Sequence, residues 1–242
     1  MSRKIWKAGT FIYPLPAVMV SCGTMEKSNI ITVAWTGIIN TNPAMCYISI
    51  RPERYSYNLI KEQGEFVINL TNEDLAYATD WCGVKSGRDV DKFKEMNLTK
   101  ERAEFVKCPV VKESPVAIEC KVKEIRELGS HQMFIAEVLS IDADEKYIDN
   151  KGAFDISKCN LMAYSNGHYY SLGEKIGRFG FSVQKKNNKI LKNKKTNKTI
   201  NKKDNSNKKE NKKRNENHNK RINKINNKLN NKKANIKKKR KH

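Results

Sequence analysis

The residues best suited to chemistry directly follow a short apolar run at positions 46–50. This run leads into Arg51, Arg54 and Ser56, and a helical pattern begins at the same place. The N–H groups at a helix N-terminus attract anions, and guanidinium groups add charge-assisted hydrogen bonds to phosphate. These residues therefore predict a phosphate pocket. The alternative is that the two arginines are solvated or paired with Glu53.

The elements that must position this pocket can be predicted from periodicity and turn chemistry. Strands are predicted at 17–22, 30–37, 46–50, 66–70, 116–125, 132–141, 160–164 and 169–172. Helices are predicted from position 53 or 54 to 63, from a cap within 71–74 through Trp81, and over the sequence DKFKEM after Asp89 or Asp91. Between them we expect a turn-rich connection at 40–43, a loop at 82–88, and a linking segment with a charged helical turn at 97–114.

Six to eight short strands with few helices predict a mainly β fold, a small barrel with interspersed helices. The strands at 116–125 and 132–141 are separated by a short turn and are expected to pair as a hairpin. The alternative is an α/β fold with a parallel sheet. It requires full crossover helices between strands, and the middle of the chain mostly lacks them.

The excess positive charge lies in residues 185–242. Residues 1–184 contain 23 Lys or Arg and 23 Asp or Glu, whereas residues 185–242 contain 25 and 3. The basic segment is rich in Lys and Asn and has no aromatic residue, Val or Cys, so it cannot bury enough apolar surface to offset chain entropy. We expect one domain at 1–184 and a disordered tail at 185–242. The tail either binds nucleic acid or anionic lipid non-specifically or has no selected role.

The cysteine pattern and the apolar runs bear on the cellular compartment. None of the six cysteines forms a C-x-x-C pair, and no His stands near them at zinc spacing. The N-terminus lacks an uninterrupted apolar signal region, and no apolar run approaches the length of a membrane span. We therefore expect reduced thiols, no metal site, no transmembrane segment and a cytoplasmic location.

Four motifs, taken in order, resemble one known family. They are N-x-x-T-x-A-W at 29–35, the stretch at 49–58, S-G-R-x-x-D-K-F at 86–93, and a run at 129–138 similar to G-x-H-x-x-F-x-G-E-V. Together they resemble the flavin reductase-like, FMN-binding split-barrel proteins, and their flavoredoxin-like branch in particular. The resemblance covers roughly residues 5–184. The basic tail departs from it, as does Ala136, where the family often has Gly.

The resemblance implies bound FMN, for which the residue types suggest three environments. Candidates for the phosphate are Ser49, Arg51 and Ser56, with Arg54 and Tyr55 beside them. Candidates for the isoalloxazine slot are Thr32, Ala34, Trp35 and Thr36. Candidates for the ribityl chain are Asn29 and Ser86, with Gly87 allowing the backbone to approach the ligand. For Trp35 the alternative is simple core packing.

The resemblance also implies that hydride passes from NADH or NADPH to flavin N5, so that the cofactor carries the difficult step. His131 is a candidate contact for the nicotinamide or the flavin, and its alternative is a structural hydrogen-bonding role. The resemblance further implies a homodimer with flavin near the subunit interface. One alternative function is a flavoredoxin-type electron-transfer flavoprotein with a protein acceptor. Another is a nucleic-acid or surface binder whose barrel is only a scaffold.

Overall fold

The computed structural model describes residues 2–184. The chain divides into two units, residues 1–174 and 175–242. In the second unit the described residues are 175–184, which include a short 3-10 turn at Phe181–Val183. The predicted tail at 185–242 lies outside the described residues.

The described part of the first unit is built from short strands with three α-helices. The strands are β1 (Leu15–Pro16), β2 (Val18–Gly23), β3 (Ser28–Val33), β4 (Thr36–Thr41), β5 (Ala44–Ile50), β6 (Glu65–Leu70), β7 (Lys100–Arg102), β8 (Pro109–Val111), β9 (Val116–Glu127), β10 (Gln132–Ala143), β11 (Met162–Ser165) and β12 (His168–Ser171). The helices are α1 (Tyr55–Gln63), α2 (Ala76–Val84) and α3 (Lys92–Glu95).

Seven of the strands form one antiparallel sheet in the order β3-β2-β6-β9-β10-β5-β4. Its two edge strands, β3 and β4, are consecutive in the chain and are joined only by Ala34 and Trp35. Seven strands laid flat span roughly 29 Å, which two residues cannot cross, so the sheet curls until its edges approach each other. At this seam the Ser49 N–H donates to the Trp35 carbonyl at 2.9 Å. The result is a split barrel.

The prediction of a mainly β barrel with interspersed helices is confirmed. The parallel-sheet alternative is wrong, because every pairing in the seven-stranded sheet is antiparallel. The predicted hairpin is confirmed as β9 and β10, which pair along their length. Antiparallel neighbours need only tight turns, so the chain has no use for crossover helices.

Strand β2 shows how the core is divided. Successive side chains of a strand point to opposite faces, and every residue of β2 is buried. Val18 and Val20 belong to the cluster inside the barrel, which also contains Phe66 and Phe134. Met19 belongs to a second cluster beneath α2 and α3. Helices α2 and α3 therefore cover the outer face of the barrel on the side of β2 and β3.

Two smaller sheets complete the first unit. Strands β1, β11 and β12 form one of them. The hairpin β11–β12 turns at Asn166 and Gly167, whose φ angles are +46° and +84°, as the right-handed twist of the flanking strands requires of a two-residue turn. Strands β7 and β8 form the other.

The strand predicted at 30–37 is wrong, and the connection predicted at 40–43 is shorter than expected. The structure ends β3 at Val33 and starts β4 at Thr36, and Asn40 lies inside β4. Strand β4 pairs with β5 through a tight turn at Asn42 and Pro43. Because β-branched and apolar residues continue through the seam, composition alone does not reveal where one strand ends and the next begins.

Two smaller predictions are also corrected. The segment 97–114 contains the hairpin β7–β8 instead of a helical turn, because the charged strand β7 pairs with the buried, β-branched strand β8. Residues 82–84 belong to α2 and not to a loop.

Among residues 2–184, no helix is both long enough and apolar enough to cross a bilayer. All six cysteines lie in this part of the chain, and each is a buried free thiol.

Candidate functional site

Two adjoining cavities open where the seam of the barrel meets α1, α2 and the hairpin β11–β12. The first has a volume of about 360 Å³ and the second about 200 Å³. Ile31, Arg51, Arg54 and Gly83 line both, so the two cavities form one continuous site. Only the first is lined by Ala17, Thr32, Val33, Ala34, Trp35, Ser49, Ile50, Asp80, Val84, His131, Tyr164 and Tyr169.

The first cavity has an aromatic wall. The rings of Trp35 and His131 lie 4.4 Å apart between centroids, with an angle of 35° between their planes. Trp35 is held at the seam by its backbone, while His131 follows a turn at Gly129 whose φ is +85°. Trp35 is 37% exposed, so it is not a core residue. Its ring lies at the rim of the first cavity. A flat, largely apolar surface of this kind suits a planar aromatic ligand.

The charge state of His131 is set by its surroundings. Burial and the guanidinium of Arg51 lower the pKa of His131 below its ordinary value, although Glu53 acts weakly in the opposite direction. The imidazole is therefore neutral at pH 7, with one nitrogen within 2.9 Å of the Ser130 hydroxyl. A neutral imidazole can accept or donate a hydrogen bond to a ligand without adding charge.

The second cavity is cationic. Five basic side chains line it, opposed by one carboxylate, that of Glu53. The basic residues are Arg51, Arg54, Lys85, Arg88 and Lys92. Arg51 pairs with Glu53 at 3.2 Å, but both side chains are more than half exposed, so the pair contributes little and leaves Arg51 available to a ligand. Such a charge balance favours an anion.

Lys92 is the buried member of this set, with a relative exposure of 4%. Its ammonium donates to the carbonyls of Ile30 at 2.8 Å and of Cys82 at 2.6 Å. No carboxylate of the described residues lies within ion-pair distance of it. Burial lowers the pKa of Lys92 to about 8. A buried ammonium without a counter-charge is costly, and an anionic ligand in the cavity would supply that charge.

Neutral polar groups complete the second cavity. The Asn29 amide donates to the Ser56 hydroxyl at 2.7 Å, which links β3 to the first turn of α1. Gly87 lies so close to this pair that an added Cβ would sit 2.1 Å from Asn29 Oδ1. Only glycine therefore lets the loop at 85–91 close over Asn29. Arg88 donates to the Glu53 carbonyl at 3.1 Å and ties the same loop to α1.

Helix α2 is fixed against β3 by a hydroxyl and a glycine. Thr32 Oγ1 donates to the carbonyl of Thr79, and a Cβ on Gly83 would lie 3.2 Å from Thr32 Cβ. This close contact sets the position of the neighbouring Asp80, whose carboxylate accepts a hydrogen bond from the Tyr169 hydroxyl at 3.1 Å. The first cavity is thus bounded by β3, α2 and β12.

The structure brings nearly all of the predicted site residues together. The first cavity contains Thr32, Ala34, Trp35, Ser49 and His131; the second contains Asn29, Tyr55, Ser56, Ser86 and Gly87; Arg51 and Arg54 line both. Thr36 lines neither cavity. It begins β4, and its hydroxyl donates to the Tyr47 carbonyl at 2.6 Å, so it supports the seam from outside the site.

Sequence reasoning missed Lys92, Asp80, Tyr164 and Tyr169. Lys92 could have been predicted, because it belongs to the motif at 86–93 and stands next to the apolar Phe93 at the start of a helix. The other three carry no local signal. They reach the cavity through the packing of α2 and the hairpin β11–β12, which periodicity does not reveal.

A model of the flavin reductase like domain matches residues 10–173 of the chain. An uncharacterized protein of Archaeoglobus fulgidus is 31% identical over 141 residues, which is 58% of this chain and 79% of the relative. The structure of the flavoredoxin of Desulfovibrio vulgaris (Miyazaki F) matches with 31% identity and a TM-score of 0.70, covering 76% of this chain and 100% of that chain. The flavoredoxin of Methanosarcina acetivorans matches with 26% identity and a TM-score of 0.69, with coverage of 76% and 100%.

Proposed function

Because the chain belongs to the flavin reductase-like domain family, we propose that it is an FMN-binding oxidoreductase that takes hydride from a reduced nicotinamide nucleotide. The observation that carries this proposal is the joining of an aromatic-walled cavity to a cationic one through Arg51 and Arg54. FMN has the matching layout: a planar ring system joined by a polyhydroxyl chain to a phosphate.

The cationic cavity suits the phosphate of FMN. In this proposal Ser56, Arg54 and the buried Lys92 hold the phosphate, and Arg51 adds charge at the junction of the two cavities. Ser49 lies on the opposite side of that junction. Phosphate binding by fixed cations and hydroxyl donors is strong when water is excluded, and the burial of Lys92 supports that condition.

The polar chain of FMN suits Asn29, Ser86 and the backbone near Gly87. The ring system suits the slot between Trp35 and the Thr32–Gly83 contact. The Ala34 side chain is small enough to leave room between them. The neutral His131 stacks on Trp35, and we place it at the rim, where it orients the ring or the nicotinamide by a hydrogen bond.

When bound, FMN supplies a ring nitrogen that accepts hydride. The residues of this chain contribute binding, orientation and exclusion of water, and none of them has to form a covalent bond. Trp35 and His131 provide the surface for stacking, and the seam restricts access to one side of the ring. This division of labour is general for cofactor enzymes.

An anaerobic titration tests the proposal. The full chain is loaded with FMN, freed of excess, and mixed with NADH or NADPH while the flavin absorbance is followed. We expect retained flavin that bleaches with one or both nucleotides. Loss of all flavin in the desalting step, together with no turnover of added FMN, would refute the proposed function.

Electron transfer without direct oxidation of NADH or NADPH is the second candidate function. It is favoured by the similarity to two flavoredoxins over the full length of their chains. In that case the flavin is retained but stays oxidised with both nucleotides, and it is reduced only by a protein partner. The same titration separates the two candidates.

We also propose that the protein is a homodimer. Two apolar side chains of this part of the chain are strongly exposed: Ile12 is 84% exposed, and Ile38, on the edge strand β4, is 86% exposed. Ile12 lines an apolar groove together with Tyr47 and Trp35, and Trp35 also lines the first cavity. A second copy would cover this surface next to the flavin site. Sedimentation of the wild type and of Ile38→Asp tests this, and we expect the variant to be monomeric.

A further inference from the structure

Among the described residues that line the first cavity, Asp80 is the only acidic one. The basic residues of that cavity, Arg51 and Arg54, are shared with the second cavity, whereas Asp80 is not. The charges of the site are therefore separated: cations gather around the proposed phosphate region, and a carboxylate faces only the cavity proposed to hold the reacting rings.

The position of Asp80 is fixed by the packing of α2. The Thr79 carbonyl accepts the Thr32 hydroxyl, and Gly83, one turn further along, presses on the same threonine. Asp80 stands between these two attachment points. Its backbone therefore keeps a set distance from the end of β3, even though the carboxylate itself is exposed at the cavity mouth.

The orientation of the carboxylate is set by Tyr169. Its hydroxyl donates to Asp80 Oδ1 at 3.1 Å. Burial and the nearby Asp80 raise the pKa of Tyr169 to about 12, so the phenol stays a donor at neutral pH. The ring of Tyr164 packs edge-on against Tyr169 with centroids 5.5 Å apart. Within residues 2–184, the other oxygen of Asp80 accepts no further hydrogen bond, so it can accept one from a ligand.

A carboxylate at this place has a defined chemical preference. When a dihydronicotinamide gives up hydride, its C4–H bond breaks, the electron pair leaves with the hydrogen to the flavin, and the neutral ring becomes a pyridinium cation. A nearby carboxylate favours that cation. The carboxamide group of the nicotinamide ring can also donate an N–H to the Asp80 carboxylate. A nucleotide whose ring carries a carboxylate in place of this carboxamide would be repelled by Asp80.

We propose that Asp80 is a specificity-determining residue that selects carboxamide-bearing pyridine nucleotides over their carboxylate counterparts. Tyr169 is its positioning residue. This inference rests on the proposed function, because it concerns the second ring that stacks beside the flavin.

The test uses the FMN-loaded full chain and compares wild type with Asp80→Asn. Asparagine keeps an oxygen for the Tyr169 hydroxyl, so the fold and the cavity shape are preserved. The probes are oxidised NAD and its nicotinic acid analogue. Each is added stepwise while the flavin fluorescence is followed, so that binding is measured without turnover. We expect wild type to bind NAD about tenfold more tightly than the analogue, and Asp80→Asn to lose most of that ratio, in line with one charge contact.

Asp74→Asn is the matched control, because Asp74 precedes the same helix and lines neither cavity. It should keep the wild-type ratio. Tyr169→Phe should reduce the ratio partially. An Asp80→Asn ratio within twofold of wild type would overturn the inference while leaving the proposed function intact. A shifted flavin reduction potential with an unchanged ratio would also overturn it, since Asp80 would then face the flavin. Failure of wild type to retain FMN would remove both proposals.

Discussion

At the residue scale, the site contains several charged side chains, but few of them are also buried. Lys92 is the clearest case, because two backbone carbonyls accept hydrogen bonds from its ammonium but do not balance its charge. Arg51 and Arg88 are exposed and partly engaged with residues of the same loop region. The buried ammonium is therefore expected to contribute more to anion affinity than either guanidinium.

Lys92→Met should weaken FMN binding about 10-fold to 100-fold, since a hydrogen bond to a charged group contributes about 1.5–3 kcal/mol. Riboflavin, which lacks the phosphate, should bind the variant about as well as it binds wild type. Fluorescence titration with both ligands measures this. Lys94→Met is the control, because Lys94 lies on the same helix and is exposed. Equal losses for FMN and riboflavin would argue against a phosphate contact.

The affinity for FMN should also depend on pH through Lys92. Burial lowers the pKa of Lys92 to about 8; Arg54 adds to the lowering, while Cys82 and Cys22 oppose it. The ammonium is charged below pH 8, so FMN affinity should be full there and fall as the pH rises through about 8. The contribution of Lys92 to the free energy of unfolding of the free protein should rise over the same range, because the unfolded chain then binds more protons. Titrations from pH 7 to 9.5 check this, with riboflavin as the reference ligand, whose affinity should not change over this range.

At the element scale, the site depends on how the segments around the barrel are attached to it. Glu119 on β9 shows one such attachment. It is fully buried and accepts the backbone N–H groups of Glu104, Phe105 and Val106 at 2.7–2.9 Å. Burial acts to raise the pKa of Glu119, but the N–H donors outweigh it and hold the pKa below its ordinary value. Three consecutive N–H groups of the connection between β7 and β8 are thus held by the Glu119 carboxylate, and the next, that of Lys107, donates to Glu65.

Glu119→Gln should lower the free energy of unfolding by about 2–3 kcal/mol. The reason is that the NH2 group that replaces one carboxylate oxygen cannot accept hydrogen bonds from these N–H donors. Urea unfolding measures this. Glu62→Gln on the exposed side of α1 is the control and should change stability by less than about 0.5 kcal/mol. In wild type the contribution of Glu119 is present above its unfolded pKa and is lost as the pH falls through the lower folded value. Wild type and Glu119→Gln should therefore converge in stability at acid pH.

The elements also show what the sequence can and cannot predict. Hairpin β9–β10, helix α1 with its Gly64 stop, and the Asp91 cap of α3 were predictable, because turn and capping chemistry is local. The division of 30–37 into two strands was not, because it is imposed by closure of the barrel. Most of the site could be predicted from motifs near β3 and β5. Asp80 and Tyr169 could not, since they meet only through tertiary packing 89 residues apart.

At the scale of the whole molecule, charge is divided sharply along the chain. Residues 1–184 are balanced, while residues 185–242 have a net charge of +22. The tail lies outside the described residues, and its binding to anionic polymers stays a prediction from composition. The flavin site and any polyanion site are then expected to act independently.

The full chain should bind heparin or single-stranded RNA with an affinity that falls steeply with salt, because each neutralised phosphate releases counterions. A chain truncated after residue 184 should not bind at about 150 mM salt but should keep its flavin, which also shows that it is folded. Fluorescence anisotropy over a salt series measures both chains. Affinity that is indifferent to salt, or that survives truncation, would contradict the prediction.

The two-residue seam at Ala34 and Trp35 has a consequence for the time course of folding. Hairpins such as β4–β5 can form early, since their partners are near in sequence, but the barrel edges meet only after distant strands such as β5 and β10 have paired. The flavin cavities lie at this seam, and we therefore expect them to be completed last. Bound FMN should therefore slow unfolding and leave the folding rate nearly unchanged, which stopped-flow measurements with and without FMN can establish. The flavin would then set how long the folded protein lasts, and not how fast it forms.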